Sequence, residues 1–138
     1  QTCALPIFRL ESDVPIAAER SIFVGGGGHI ASGVTQPGTE WYLAEGDTIP
    51  PFAQSIALLN PTDQNVTVDI TFYPESGLPP RLHSVRLRPM SRGTVNVSQI
   101  MPNTRFSARV QADKAIVVER TLFYEDLRGG TSGPAIMK

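Results

Sequence analysis

Two stretches of this chain are copies of each other, placed 100 positions apart. The segment Pro15–Val24, PIAAERSIFV, aligns without a gap with Ala115–Tyr124, AIVVERTLFY, and both contain the dipeptide Glu-Arg. A period of about one small domain is typical of tandem arrays of β-domains. The repeat therefore predicts that residues 8–38 hold the last strands of one repeat and a linker. Residues 39–138 are then a nearly whole second repeat, which we expect to be truncated at its C-terminal end.

The first seven residues, QTCALPI, match nothing in the second copy. They resemble the in-frame translation of a sequencing-adapter oligonucleotide, so we interpret residues 1–7 as non-native. The alternative is a genuine, divergent strand. If the segment is non-native, Cys3, the single cysteine, says nothing about the redox compartment.

Composition excludes several classes of function. The net charge of −1 and the lack of a basic run interleaved with aromatic residues argue against a nucleic-acid surface. No apolar run is long enough to span a membrane. Twelve Gly and twelve Pro, with abundant Thr, Val and Ser, indicate short strands joined by turns.

The pattern of alternation predicts an all-β chain. Val66, Val68, Ile70 and Phe72 should face inward from one strand, and no segment has a helical period. We predict an antiparallel β-sandwich of immunoglobulin or fibronectin type, with about seven strands and an N-terminal hairpin from the preceding repeat. A jelly roll or barrel is the second interpretation. The predicted strands are 41–44, 54–59, 66–73, 82–88, 94–97, 106–110 and 115–124.

Turn residues predict how these strands connect. Glu11–Asp13 should join a hairpin of 8–10 with 16–24, and Ala112–Lys114 should turn into the strand 115–124. Glu45–Asp47 is a predicted turn, and residues 100–104 a loop with one possible helical turn. The run Gly25–Gly28 is interpreted as a loop, since it lacks the lysine of a phosphate-binding motif.

The recurring charged pair is the first candidate for a special role. Glu119 and Arg120 should point to opposite faces of a strand that is apolar on both faces, so each needs a partner elsewhere. Recurrence within an array favours a structural role over catalysis, because a packing residue must be copied. We therefore expect Glu19, Arg20 and their copies to serve at a sheet end or repeat junction.

Trp41 and Tyr42 are the second candidate. As neighbours on a strand, one should lie in the core and the other outside. A core tryptophan is the first interpretation, a contact between repeats the second, and an aromatic platform for sugar the third.

Catalytic, cofactor and metal sites are not predicted. Zinc needs clustered ligands, and the chain has two histidines and no ligand motif. Ser32 and Ser132 lie in Gly-rich stretches without a nucleophile motif. Carboxylates that could form a catalytic or calcium-binding pair, but which we interpret as surface groups, are Glu40, Glu45, Asp47, Asp63, Glu75, Asp113 and Asp126. The histidines, His29 and His83, are interpreted as structural or surface residues.

Four motifs together resemble a repeat of large secreted or surface bacterial proteins. They are WYLAEG at 41–46, IALLNP at 56–61, PMSR at 89–92 followed by TVNV, and the Ala-Glu-Arg strand at 18–20, in which Val118 replaces the alanine in the second copy. The resemblance covers residues 8–133. It implies an immunoglobulin-like sandwich in a tandem array, without known catalysis.

We therefore expect a non-enzymatic structural or adhesive module of an extracellular or cell-surface bacterial protein. Its expected partners are neighbouring repeats and surface polysaccharide, with no nucleic acid and no membrane-spanning segment. The alternative is a carbohydrate-binding accessory module of a secreted enzyme, which an exposed row of aromatic residues would favour. A catalytic domain would need a cleft with clustered carboxylates or histidines.

Overall fold

The computed structural model describes residues 8–24, 27–124 and 129–138. The predictions for residues 1–7, the first half of the glycine run and Asp126 therefore lie outside the described residues. The elements in chain order are β1 (Glu19–Val24), β2 (Gly27–Ser32), β3 (Gly38–Asp47), β4 (Ala53–Asn60), β5 (Val66–Pro74), β6 (Arg81–Leu87), β7 (Ser91–Asn96), α1 (Val97–Ile100), β8 (Arg105–Tyr124), β9 (Gly129–Pro134) and β10 (Ile136–Met137).

All strand pairs are antiparallel, and the predicted all-β class is confirmed. One sheet has the order β10-β3-β8-β5-β6, and a second has the order β9-β8-β4-β7. These two sheets pack as a sandwich around a single apolar core. The hairpin β1–β2 forms a small sheet of its own. The only helix of the described residues, α1, has four residues, which is too short to cross a membrane.

Strand β8 joins the two sheets, and this corrects one prediction. Ala112–Lys114 does not turn, because the chain runs on as a single strand of 20 residues. Its first half pairs with β3 and β5, while its second half pairs with β4 and β9. Asp113 uses its side chain to accept a hydrogen bond from the Thr67 backbone N–H at 3.0 Å, beside the point where β8 changes sheets. The strand that carries Glu119 is therefore central, with a neighbour on each side.

The core follows the predicted alternation. The inward side chains of β5 are fully buried, as are most of those that face them from β8. Phe72 and Phe106 meet edge to face with ring centroids 5.3 Å apart. The predicted turn at Glu45–Asp47 is wrong, since β3 continues through a bulge to Asp47. A Cβ atom on Gly46 would lie 2.3 Å from the Phe106 ring, so the absent side chain lets that ring lie against the strand.

The N-terminal hairpin differs from the predicted one. Residues 8–18 form no strand, and β1 pairs with β2 across the glycine run instead. The glycine-rich tail after residue 128 is also a strand, β9, which pairs with the end of β8. The predicted helical turn begins at Val97, earlier than expected, and is closed by the Met101 N–H donating to the Val97 carbonyl at 2.8 Å.

Candidate functional site

The two copies of the Glu-Arg segment form hairpins of similar pairing, but the partner strand is displaced by two residues: Val24 pairs with Gly27, whereas Tyr124 pairs with Gly129. In the first hairpin, β1–β2, Glu19 lies opposite Ser32; in the second hairpin, the end of β8 with β9, Glu119 lies opposite Pro134. Each pairing continues over six residue pairs. The backbone hydrogen bond beyond each hairpin is also copied, from the Gly33 N–H to Ala18 and from the Ala135 N–H to Val118, both at 3.0 Å. The correspondence seen in one strand therefore extends to the partner strand.

Glycines occupy matching places in the two hairpins. A Cβ atom on Gly28 would lie 2.9 Å from the Phe23 ring, and one on Gly130 would lie 3.3 Å from the Phe123 ring. Each phenylalanine thus lies over a glycine in the opposite strand. Sequence reasoning missed this correspondence because the two glycine-rich strands match only loosely, and the paired glycine follows phenylalanine by five residues in the first copy and by seven in the second.

An ion pair joins the hairpins. The Arg20 guanidinium of the first hairpin donates to the Glu119 carboxylate of the second, and the two side chains are only 18% and 15% exposed. Glu119 thus finds the partner that its position on the strand requires, and that partner comes from the other copy. Glu19 lies on the opposite face of the first hairpin and is exposed.

Arg120 has different surroundings from its copy Arg20. It lies opposite the core residue Ile56 of β4, and its Nη1 atom is buried without a hydrogen-bond partner among the described residues. A buried donor of this kind is costly. The identical dipeptides are therefore not used identically.

His29 forms the second contact between the hairpins. Its Nδ1 atom lies 2.9 Å from the Ser132 hydroxyl, and its ring meets the Phe123 ring edge to face at a centroid distance of 6.2 Å. Burial lowers the pKa of His29, the Arg20 charge lowers it further, and the Glu119 charge acts in the opposite direction. The neutral imidazole is therefore the form that fits this contact.

The same histidine and serine do not make a hydrolase triad. The His29 Nε2 atom is buried and has no hydrogen-bond partner in the described part of the chain, so no carboxylate orients the ring. Nothing in the sequence connects His29 with Ser132, since they are 103 positions apart. Their contact is better described as part of the packing between hairpins.

Trp41 and Tyr42 divide between core and surface, as the alternation predicts. Trp41 is 1% exposed, and its indole N–H donates to the Gly38 carbonyl at 3.0 Å. Tyr42 is 38% exposed, and its hydroxyl donates to Glu40 at 2.6 Å. Glu40 also accepts from Arg109, with the Nη2 atom at 2.6 Å. The bonds from Tyr42 and Arg109 lower the pKa of Glu40, and the Glu40 carboxylate raises the pKa of Tyr42.

A second exposed tyrosine lies on the same outer sheet face. Arg109 of β8 is opposite both Tyr42 of β3 and Thr71 of β5, and Tyr73 follows two residues later. Tyr73 is 40% exposed. From the spacing of strands and residues, the Cα atoms of the two tyrosines are roughly 12 Å apart.

The other titratable candidates are not brought together. Within residues 8–24, 27–124 and 129–138, no three side chains of His, Cys, Asp or Glu are grouped as metal ligands would be. Asp47 pairs with Arg105 and caps the following Ile49 N–H. His83 lies in β6 and Ser32 ends β2, far apart in the topology.

Comparison with known proteins identifies the fold but not a family. No family model matches the chain, and no curated protein matches it. Among solved structures, the crystal structure of Thermotoga maritima 1070 is similar at a TM-score of 0.66 and 15% identity, over 74% of this chain and 96% of that one. The Anabaena sensory rhodopsin transducer is similar at a TM-score of 0.53 and 26% identity, over 62% of this chain and 97% of that one. The likeness to the Thermotoga structure shows a shared fold alone.

Proposed function

We propose that this chain is a non-catalytic structural module of a tandem array in an extracellular or cell-surface bacterial protein. The contact between the two Glu-Arg hairpins performs this structural role. The observation that carries the proposal is the ion pair between Arg20 and Glu119, which links one sequence copy to the other. A contact that joins successive copies is what sets the stiffness of a repeat protein.

The surroundings of the ion pair support this role. Phe123 of the second hairpin is 7% exposed and lies against His29 of the first. The first hairpin covers this face without contributing to the main core, which runs from Trp41 to Ala135. Of the described residues before Gly38, Val34 is the one that packs on that core as a partly buried side chain. The first hairpin therefore fits the description of a neighbouring unit better than that of an integral part of the sandwich.

Urea unfolding of residues 8–138 and 39–138 tests the proposal. The shorter chain keeps the whole core and should fold, but it exposes Phe123 and leaves Glu119 without Arg20. These losses amount to about 3 kcal/mol. With a slope of about 2 kcal/mol/M, the urea midpoint should fall by about 1.5 M.

Residues 17–138 provide the matched control, since they keep the Ala18 carbonyl that accepts the Gly33 N–H and lack only residues outside the strands. Their midpoint should stay within about 0.3 M of the full chain. Equal midpoints for all three chains would contradict the proposal, because the first hairpin would then be a loose appendage.

A second function, carbohydrate binding, is favoured by the two tyrosines of the outer sheet face. Tyr42 and Tyr73 are both exposed on the sheet face that carries Arg109, and Glu40 holds Tyr42 in place. Aromatic rings held rigidly at a surface supply large contact area at low entropic cost.

Binding to insoluble polysaccharide tests this second function. Replacing Tyr42 and Tyr73 with Ala should abolish retention, while Tyr124→Ala should not, because Tyr124 is equally exposed, at 37%, but lies on the second hairpin. Retention that survives the double replacement, or no retention of the unaltered chain, would exclude this surface as the binding site.

A further inference from the structure

The two sheets leave a groove along one side of the sandwich. Strand β6 ends one sheet and β7 ends the other, and each pairs with a single neighbour in the described residues. Between these strands lies an open groove of about 640 Å³, a volume within the usual range for small-ligand sites. Val85 and Val95 line its apolar part.

Side chains close the groove at both ends. At the end near the turn, Leu87 lies so close to Gly93 that a Cβ atom there would be 2.8 Å from its methyl carbon. At the other end, the Arg81 guanidinium crosses from β6 to donate to the Ile100 carbonyl after β7. A ligand that fits between these ends is short, which argues against a long inserted strand.

Positive charge is concentrated at the rim. Among the described residues, the lining includes Arg86, Arg88 and Arg92 but no Asp or Glu, although the whole chain has 13 acidic and 12 basic residues. Arg86 and Arg88 are exposed, and no salt bridge holds either of them within the described residues. These two guanidinium groups can therefore meet an anion without breaking an existing ion pair.

We propose that this groove binds a carboxylate-bearing sugar of one or two rings. Arginine recognises carboxylate by two parallel hydrogen bonds. The amides of Asn96 and Gln99, which also line the groove, can donate to and accept from hydroxyl groups. The apolar C–H face of a sugar ring fits against Val85 and Val95. This binding site is separate from the hairpin contact and from the outer tyrosines.

The test is an NMR titration of the full chain with digalacturonate. We expect amide shifts confined to β6, β7 and α1. A double replacement, Arg86→Gln with Arg88→Gln, should weaken the affinity roughly tenfold. The matched control, Arg9→Gln with Lys114→Gln, removes the same charge outside the groove and should leave the affinity within about twofold. Urea unfolding of both variants checks that the fold is intact.

Three further titrations decide the ligand class. Neutral galactobiose and sodium sulfate should each bind at least tenfold more weakly than digalacturonate, and Tyr42→Ala should bind digalacturonate as the unaltered chain does. No binding of digalacturonate, or binding that the double replacement leaves unchanged, would overturn the proposal. Equal binding of galactobiose or sulfate would overturn the assignment to an acidic sugar, and a loss confined to Tyr42→Ala would place the sugar on the outer sheet face.

Discussion

Breaking the ion pair of Arg20 with Glu119 should destabilise the chain much more than breaking the exposed ion pair of Arg9 with Glu11. The replacement Arg20→Met keeps most of the aliphatic length and deletes the guanidinium that donates to Glu119. The Glu119 carboxylate, only 15% exposed, is then left without this partner in a partly buried contact. Unpairing a fully buried charge costs about 3–5 kcal/mol, and an exposed pair contributes at most about 1 kcal/mol.

The exposure of this pair places it between those limits. We expect Arg20→Met to lower the free energy of unfolding by about 2 kcal/mol, and Glu119→Gln to do nearly the same. Because each replacement breaks the same contact, the double variant should lose less than the sum. The coupling energy from the double-mutant cycle should be about 1.5 kcal/mol.

Urea unfolding of the four chains measures this coupling. The matched control is the pair Arg9 and Glu11, which is 59% and 74% exposed and should show a coupling below about 0.5 kcal/mol. Arg120→Met is a second control at the copied position, and should cost little, because the Arg120 Nη1 atom has no partner to lose among the described residues. A coupling for Arg20 and Glu119 no larger than that of the control pair would refute the inference that the hairpins are locked by this contact.

Three further outcomes follow from the hairpin contact and the core. The pKa of His29 is lowered by burial and by Arg20, so stability from this residue is complete above the unfolded pKa of about 6.5 and is lost as the pH falls below it; His29→Gln should flatten the stability profile between pH 7 and 5. Gly130→Ala should cost about 1–2 kcal/mol, because its Cβ atom would lie 3.1 Å from His29, whereas Gly133→Ala meets nothing within 4 Å and should be neutral or stabilising in urea unfolding. Trp41→Phe should cost about 2 kcal/mol by the same assay, since it removes volume and the indole hydrogen bond from the core.

The alternation of apolar and polar residues was enough to predict the strands that have one buried face. Val66, Val68, Ile70 and Phe72 are all buried, and Trp41 points into the core while Tyr42 does not. In each case one face of the strand is buried, so apolar residues recur at every second position of the sequence. The all-β antiparallel class followed from these segments and from the turn residues between them.

Pairings between distant segments could not be predicted in the same way. Ala112–Lys114 has the composition of a turn, yet it lies within β8, between the pairing of Ala112 with β5 and that of Ile116 with β3. Strand β9 has hardly any apolar side chains, so its sequence carries no strand pattern. Its glycines instead let the rings of Tyr124 and Phe123 lie against its backbone. Tertiary contacts override local preference at both places.

Because tertiary contacts decide the surroundings of each side chain, recurrence of the Glu-Arg dipeptide implies a shared hairpin but not shared side-chain contacts. Both copies form a hairpin of six residue pairs with the same backbone hydrogen bond beyond it, although the second partner strand is displaced by two residues, so the hairpin is the unit that recurs. The side chains at equal positions nevertheless meet different surroundings: Arg20 faces a carboxylate, while Arg120 lies opposite Ile56. Of the two glutamates, only Glu119 is covered, and Glu19 stays exposed. An ion pair formed by one arginine of one copy and one glutamate of the other is directional, and directionality is what a junction between successive units needs.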